Sequence, residues 1–368
     1  MKFMRSSHSS DHLFIALVWL ITLLGLACLL SASMIMGKNN FDDPFYYLKH
    51  QLLYGGTIGL VGFFLTSRLY YRRWEKLALP FLLAAIVLMF LVFTPLGYEV
   101  NGAKRWLNFG FISFQPSEIL KLAFIIYLAA WLSKRTAKIK SFSEGFLPFL
   151  IFLAAITAIF IFQRSTSTLV VIIATSLAVY LLSRAKLLYF GFAALLVVAL
   201  LVGLIIVRPY QMQRFLSFIN YGDDPQGRDY HINQALIAIG SGGVTGVGYG
   251  NAVSKYNYLP EPMGDSIFAV IAQEFGFIGV LVFVSLFFLF LLKGLTIAKR
   301  SPDVFSQLLA AGLTIMVAVQ AFINIAAMSK LIPLTGQPLP FISYGGTSLG
   351  VLLTSMGIIV NISKYSKK

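Results

Sequence analysis

Charged residues are scarce in this sequence and cysteine is nearly absent. Only 12% of the 368 residues are Asp, Glu, Lys or Arg, and Cys28 is the single cysteine. One cysteine excludes an internal disulfide and a cysteine-based metal cluster. With 58% hydrophobic residues, so few charges also exclude a soluble globular protein of ordinary composition. We therefore expect an integral membrane protein.

Acidic residues are the scarcer charged class. The chain has 14 Asp and Glu against 29 Lys and Arg, which gives a net charge of +15. An excess of Lys and Arg can bind nucleic acid, but these residues also collect in the cytoplasmic loops of membrane proteins. Because the chain is so apolar, we adopt the second explanation and expect no nucleic-acid partner.

Hydrophobic runs divide the chain into ten predicted spans, each near the roughly 20 residues that cross a bilayer. They cover about residues 13–36, 48–67, 78–97, 117–133, 146–163, 167–183, 187–207, 266–292, 305–328 and 347–363. Only the polar QRSTST at Gln163–Thr168 separates the fifth span from the sixth. The sequence thus predicts an all-α bundle forming one polytopic domain over residues 1–368.

The distribution of Lys and Arg predicts the orientation of this bundle. An even number of spans puts both termini on one side, and basic connections such as Arg72–Arg73 and Lys138–Lys140 lie on that same side. Both termini are therefore predicted to be cytoplasmic. Three segments share the opposite face, at about residues 98–115, 208–265 and 330–346. Since typical connections have only about 4–6 residues, such long ones indicate function.

Two carboxylates precede the eighth span. In Tyr258–Gly279, a Pro-rich polar segment carrying Glu261 and Asp265 runs directly into a hydrophobic helix. Ionisable groups beside the hydrocarbon are costly and usually mark a substrate path or a reacting site. Asp265 is therefore the first functional hypothesis.

Charged residues also lie within the first long segment and at the start of the helix that follows it. Pro116 starts the fourth helix, and Glu118 and Lys121 lie three residues apart on one face, which fits an ion pair just inside the span. Such a pair either fixes helix packing or lines a substrate path. Upstream, Lys104 and Arg105 could anchor lipid headgroups beside an interfacial tryptophan or could bind phosphate, and the spacing does not choose between these roles.

Glycines and prolines mark the other two segments. The glycines within Arg228–Asn251 do not form a nucleotide loop, because no Gly-Lys-Ser/Thr ending follows; turns and close backbone packing explain them better. His231 has no second His or Cys at ligand spacing, so we expect a polar loop residue and no zinc site. The irregular stretch Lys330–Leu349, which contains Ser343, must be covered by protein or line a wet cavity.

Five motifs occur in order among the ten spans: NGAKRW, FQPSEILKL, IAIGSGG, YLPEPMGDSIFAVIAQEFGFIG and PLTGQPLPFISYGGTS. This set resembles the SEDS proteins (shape, elongation, division and sporulation), and is closer to the FtsW branch than to RodA. The resemblance implies a peptidoglycan glycosyltransferase of the bacterial inner membrane that polymerises lipid II on the extracytoplasmic face. It also implies a class B penicillin-binding protein as partner, together with other membrane proteins of the divisome or elongasome.

The resemblance also transfers site residues. The essential carboxylate of the family falls on Asp265, although Ser266 replaces the usual phenylalanine beside it, and the paired Glu and Lys fall on Glu118 and Lys121. A larger departure is QRSTST, where relatives commonly carry Gln-Pro-Asp-Leu-Gly-Thr. This chain lacks that acid and gains Arg164, so no role is assigned to an acid there.

The implied reaction needs a general base for the attacking sugar 4-hydroxyl and cations for the departing diphosphate. Asp265 is the predicted base, and a single displacement would invert the anomeric centre without a second carboxylate. The sequence specifies no cofactor and leaves open a divalent cation at the diphosphate. The candidate substrate-binding residues are Lys104, Arg105, Glu118, Lys121, Arg214, Arg228, Lys255, Glu261 and Ser343.

Two other classes of function stay open at this point. A lipid II transporter would depend on membrane-embedded polar residues such as Glu118 and Lys121 more than on Asp265, and it predicts internal repeat symmetry, which we do not detect. A non-catalytic scaffold predicts tolerance to substitution at Asp265, Lys121 and Arg105 alike.

Overall fold

Helices dominate the computed structural model, which describes residues 9–100, 102–108, 110, 113–220, 222–256 and 258–366. The two chain ends, which the charge pattern predicts to be cytoplasmic, lie outside the described residues, as does Asn101 of the NGAKRW motif. The helices of the first half are α1 (His12–Phe41), α2 (Tyr46–His50), α3 (Thr57–Arg68), α4 (Arg72–Leu91), α5 (Pro116–Ser133), α6 (Leu147–Phe162) and α7 (Thr166–Leu182). Those of the second half are α8 (Leu187–Val207), α9 (Pro209–Ile219), α10 (Tyr230–Ser241), α11 (Ile267–Lys299), α12 (Val304–Met328) and α13 (Gly346–Ser363).

The ten predicted spans all fall on helices, which confirms the helical membrane fold. Eight described helices are long and apolar enough to cross a bilayer, and α7 is a shorter apolar helix. A π-helical turn at Gln51–Gly56 joins α2 to α3, and another at Phe142–Phe146 leads into α6. The count of ten spans therefore stays a prediction. The third span was placed about six residues too late, because α4 includes the charged residues of its first turn, beginning at Arg72.

A small antiparallel sheet, which the sequence did not predict, follows α4. Its strands are β1 (Gly97–Val100), β2 (Ala103–Asn108) and β3 (Ser113–Phe114), in the order β1-β2-β3. Side chains alternate between the two faces of a strand. Arg105 therefore shares a face with the buried Ala103 and Leu107, whereas Lys104 lies on the exposed face.

The centre of the bundle is formed by α5, α12 and α13, which are mostly buried, whereas α8 is almost entirely exposed at the periphery. α12 packs against α5, α7 and α11, and α13 packs along α3. α13 also packs against the residues just before α3, where two glycines meet: a Cβ on Gly55 would lie 2.9 Å from Cα of Gly346. Polar side chains of α5 and α12 are therefore enclosed by protein and do not face lipid.

The long connection before α11 is more ordered than expected, because it contains the helices α9 and α10. Its glycine-rich part packs into a break in α11 at Gly276, which has φ 62° and ψ −164°. The amide of Phe277 donates to the carbonyl of Gly243 at 2.9 Å, and that of Val247 donates to Gln273 at 3.0 Å. The expected close backbone packing of these glycines is confirmed, and it satisfies the groups that the break exposes.

Candidate functional site

The three segments predicted to share one face meet at the start of α11. Arg214 of α9 donates from Nη1 to the carbonyl of Leu334 at 3.2 Å, which joins the second segment to the third. The amide of Gln115 donates to Oγ1 of Thr347 at 3.3 Å, which joins the first segment to the start of α13. These bonds join the second segment to the third and the first segment to the helix that follows the third, while their place on the extracytoplasmic face stays a prediction.

A tight turn holds Asp265 just before α11. The amides of Gly264 and Ser266 both donate to the carbonyl of Glu261, at 2.9 and 3.2 Å. The carbonyl of Asp265 itself accepts a hydrogen bond from Nδ2 of Asn324 at 2.7 Å. These bonds fix the backbone on both sides of the carboxylate. Its Oδ1 atom is buried and has no hydrogen-bond partner among the described residues.

The carboxylate of Asp265 has a raised proton affinity. Burial raises the pKa of Asp265 to about 6, and the positive charge of Arg214 opposes that rise. Arg214 and Asp265 both border Gly336, yet they form no ion pair in the part of the chain that the structure describes. A carboxyl group with a pKa near 6 is mostly ionised at neutral pH and still accepts a proton readily.

Two further titratable groups surround this turn. Glu261 is accessible to solvent, and its pKa is raised first by desolvation from the surrounding protein and then by the negative charge of Asp265. His231 is not the loop residue that the sequence predicted, because it lies in α10 with Nε2 2.7 Å from Oγ of Ser266. Desolvation lowers the pKa of His231 to about 4, so the imidazole is neutral at neutral pH. Ser266, the departure from the family motif, therefore serves as the partner of His231.

Arg214 is the candidate cation that the fold brings near this carboxylate, and Arg105 lies near Arg214. Arg105 donates from Nη2 to the carbonyl of Arg164 at 2.6 Å, and its Nε is buried without a partner among the described residues. Burial lowers the pKa of Arg105, and the nearby charge of Arg214 lowers it further. Arg214 stacks over the ring of Tyr210 at 4.5 Å. Lys104, on the exposed face of β2, points to the other side of that strand.

The QRSTST segment at Gln163–Thr168 contacts Arg105 and the third long segment. Arg164 has a positive φ of 54°, which turns its carbonyl toward Arg105, while its own Nη1 lies 3.5 Å from the carbonyl of Gly102. Ser167 donates to the carbonyl of Thr335, so the same loop also binds the third segment. The loop thus positions one candidate cation without the acid that relatives carry.

Two other candidate cations bind protein carboxylates. Nε of Arg228 lies 3.0 Å from Oδ1 of Asp229. Lys255 is buried, with Nζ 2.9 Å from Oε1 of Glu274 and 2.7 Å from the carbonyl of Gly250. Glu274 lies nine residues beyond Asp265, which corresponds to roughly 13 Å along a helix. These ion pairs favour Arg105 and Arg214 over Arg228 and Lys255 as diphosphate ligands, and contact of any of them with substrate stays a prediction.

Ser343 is also occupied by the protein. Its Oγ donates to the carbonyl of Gly264 at 2.6 Å and accepts from the amide of Leu339 at 2.8 Å. The hydroxyl therefore supports the turn that carries Asp265. The prediction that Ser343 also contacts substrate stays a prediction.

Glu118 and Lys121 form the expected ion pair in α5. Nζ of Lys121 lies 2.8 Å from Oε1 of Glu118, and their side chains are 1% and 6% exposed. Nζ also donates to Oε1 of Gln320 at 2.9 Å. The structure thus confirms the pairing, while any contact with substrate stays a prediction. Sequence reasoning missed Gln320 and Asn324, although polar residues four apart in an apolar helix were a usable signal.

No group of three or more His, Cys, Asp or Glu side chains among the described residues could hold a metal ion. The groups that the structure places around this turn are a half-buried carboxylate, two guanidinium groups and a neutral imidazole. A carboxylate base beside cationic donors fits the transfer of a group that leaves as an anion.

Comparison with known proteins agrees with this chemistry. Residues 11–368 match the FtsW, RodA and SpoVE family, described as cell cycle protein. The chain is 37% identical over 360 residues to stage V sporulation protein E of Bacillus subtilis, covering 98% of each protein. It is 34% identical over 361 residues to "Probable peptidoglycan glycosyltransferase FtsW" of Geobacter sp., again covering 98% of each.

Two solved structures share the fold. One is a chain from a study of how a peptidoglycan synthase complex coordinates polymerization and crosslinking, with a TM-score of 0.79, 25% identity, and coverage of 97% of this chain and 99% of that chain. The other is the rod shape determining protein RodA of Thermus thermophilus, with a TM-score of 0.70, 25% identity and 98% coverage of both chains.

Proposed function

Since the chain belongs to the FtsW, RodA and SpoVE family of cell cycle proteins, we propose that it is a peptidoglycan glycosyltransferase that polymerises lipid II into glycan strands. A relative that carries this enzyme name is matched over 98% of both chains, so the proposal concerns the whole protein. The chain is a multi-pass protein of the bacterial inner membrane. The proposal adds that both termini are cytoplasmic and that Asp265 acts on the extracytoplasmic side.

Asp265 is the general base of the proposed reaction. Its carboxylate takes the proton of the attacking sugar 4-hydroxyl while the hydroxyl oxygen bonds to the anomeric carbon of the donor sugar. The bond between that carbon and the lipid diphosphate breaks in the same step, so the configuration inverts. The raised pKa of about 6 supports this role, because a base is most effective when its pKa lies near the working pH.

Arg214 and Arg105 are the proposed ligands of the departing diphosphate. Guanidinium groups bind phosphate oxygens through paired, charge-assisted hydrogen bonds. The observation that carries the proposal is that Arg214 and the half-buried Asp265, whose Oδ1 atom is buried, both border Gly336 without forming a direct ion pair. Such an arrangement leaves the guanidinium without a carboxylate partner among the described residues, so its charge is available to a substrate that also contacts the base. Lys104 stays a candidate from the outer face of the sheet.

The proposed partner is a class B penicillin-binding protein, which would crosslink the strands that this chain makes. A solved chain of the same fold comes from a peptidoglycan synthase complex, which supports this pairing. Relatives named FtsW and SpoVE at 34–37% identity support a role closer to the FtsW branch than to RodA. Other membrane proteins of division or elongation are proposed as further partners.

A reconstituted reaction tests the proposed function. Purified protein, with and without a class B penicillin-binding protein, is incubated with lipid II, and the products are separated by size. We expect glycan strands that lengthen with time. If lipid II crosses a vesicle bilayer in the presence of the protein and no strands form, the chain is a transporter. If neither activity is observed with the partner present, the scaffold function replaces the proposal.

A further inference from the structure

The central helix α12 carries two carboxamides at positions where an apolar side chain would be expected. Gln320 and Asn324 are 0% and 1% exposed, and a spacing of four residues puts both on one face of the helix. Most buried polar atoms form hydrogen bonds, and of the polar side-chain atoms of these two residues only Oδ1 of Asn324 lacks a partner among the described residues. The partners of these two side chains therefore indicate why α12 carries them.

Gln320 joins the ion pair of α5 to the third segment. Its Oε1 accepts a hydrogen bond from Nζ of Lys121 at 2.9 Å, and its Nε2 donates to the carbonyl of Pro338 at 3.0 Å. Lys121 is held in turn by Glu118 at 2.8 Å. One side chain thus links a charged pair inside the bundle to the backbone that borders the site.

Asn324 joins the same backbone to Asp265. Its Nδ2 donates to the carbonyl of Gln337 at 2.6 Å and to the carbonyl of Asp265 at 2.7 Å. Gln337 immediately precedes Pro338, so the two carboxamides hold neighbouring peptide carbonyls. The side chain of Gln337 also donates to Oγ1 of Thr168 at 3.3 Å, so this residue contacts α7 as well.

We infer that Gln320 and Asn324 are positioning residues for the proposed base, linking the buried Glu118–Lys121 pair to Asp265 through the Gln337–Pro338 backbone. This inference rests on the proposed function and extends it to residues that touch no substrate. Asn324 holds the residue that carries the carboxylate, and it also holds the peptide next to Gly336. Since Gly336 borders both Asp265 and Arg214, movement of that peptide changes the surroundings of the base and the cation.

A role of Asn324 in folding alone and a role in positioning the base predict different kinetic effects when the side chain is removed. If Asn324 only stabilised the bundle, its loss would reduce the amount of folded protein and leave the turnover of each folded molecule unchanged. If it positions the base, its loss lowers kcat while KM for lipid II is kept, because an interaction made in the transition state is lost. A displacement of about 1 Å at a reacting group can cost about 10²-fold in rate.

Asn324→Ala tests the inference, and Asn361→Ala is the matched control. Asn361 is also 1% exposed and bridges two elements, donating to the carbonyl of Ser67 at 2.9 Å and accepting from the amide of Tyr71 at 2.9 Å. It lies at the opposite end of the bundle from Asp265. We expect Asn324→Ala to lower kcat about 10²-fold at unchanged KM, and Asn361→Ala to lower Tm without changing kcat.

A second pair of variants keeps the inference testable if Asn324→Ala does not fold. Asn324→Ser retains one donor and should lose roughly tenfold in kcat, and Gln320→Met should lower kcat at unchanged KM because Pro338 and Lys121 lose their common partner. If the wild type makes glycan and all folded variants match its kcat, the inference fails and the proposed function stands. If the wild type makes no glycan under any condition, the proposed function fails first.

Discussion

Arg214 and Asp265 approach the same small residue from different elements. A Cβ at Gly336 would lie 3.4 Å from Nη2 of Arg214 and 3.4 Å from Oδ2 of Asp265. Gly336 has φ +65°, a conformation that glycine adopts without strain. Because Gly336 has no side chain, the space beside the guanidinium and the carboxylate stays open, and we propose that a sugar diphosphate contacts both groups there.

The first prediction concerns the pH dependence of glycan synthesis. A general base works only when ionised, so kcat/KM should rise with pH through the pKa of Asp265, which is about 6. The charge of Arg214 lowers that pKa, so Arg214→Met should raise it and shift the acid limb of the profile to higher pH. The measurement is the pH profile of strand synthesis for both proteins. An acid limb that stays in place contradicts the pairing of these two residues.

Arg228→Met is the control for that shift. Arg228 is an arginine of the same long connection, but its guanidinium is paired with Asp229 at 3.0 Å. Its removal should leave the acid limb of the pH profile unchanged. An equal shift in both variants would show a general effect of net charge.

The second prediction concerns the pair in α5. Glu118 and Lys121 are almost fully buried, so removing one partner leaves an unpaired charge in a low-dielectric interior. Glu118→Gln or Lys121→Met should lower the free energy of unfolding by roughly 3–5 kcal/mol, whereas the double variant should lose less than either single variant. Thermal unfolding in detergent measures this, and equal stability of all three variants would contradict a buried pair.

The exposed pair of Lys138 and Glu144 provides the comparison. Their side chains are 57% and 49% exposed, so water already solvates both charges. Removing either one should change stability by less than about 1 kcal/mol. The contrast between the two pairs isolates the effect of burial.

The third prediction separates Lys255 from the diphosphate ligands. Because Lys255 is buried against Glu274 at 2.9 Å, Lys255→Met should reduce thermal stability, and adding Glu274→Gln should restore part of it. KM for lipid II should be unchanged in the folded variant. Arg214→Met should behave in the opposite way, raising KM or lowering kcat with little loss of stability. A raised KM in Lys255→Met would return that lysine to the substrate site.

The fourth prediction concerns the orientation of the bundle. In a Cys28→Ala background, a cysteine at Gln226 should react with an impermeant thiol reagent in intact spheroplasts, and one at Lys138 should not. Both positions are exposed in the structure. Gln226 is chosen over the nearby Gly222, whose φ of +99° would strain a cysteine. The reverse labelling pattern would place the proposed active site in the cytoplasm.

The sequence predicted features that depend on local spacing. Glu118 and Lys121 lie three residues apart in one helix, so their pairing follows from helical geometry alone. The position of Asp265 at the start of α11 follows from the polar segment that meets an apolar run. Local pattern was sufficient in both cases because the partner or the boundary lies within a few residues.

Features that depend on long-range contacts could not be predicted in this way. The partner of Lys255 is Glu274, which sits in an apolar helix 19 residues later, and Ser31 of α1 completes their contacts. Asn324 and Asp265 are 59 residues apart and meet only because α11 and α12 pack together. Which cations reach the carboxylate was likewise decided by tertiary packing.

The most direct measurement is the rate of lipid II polymerisation by Asp265→Asn. The change keeps the size of the side chain and removes the basic oxygen, so activity should fall by roughly 10²–10⁴-fold while expression and partner binding persist. Glu261→Gln is the internal control, since Glu261 is exposed and should shape the turn with a smaller loss. Near-normal strand synthesis by Asp265→Asn, with Glu261→Gln inactive, would identify the other carboxylate as the base and contradict the mechanism.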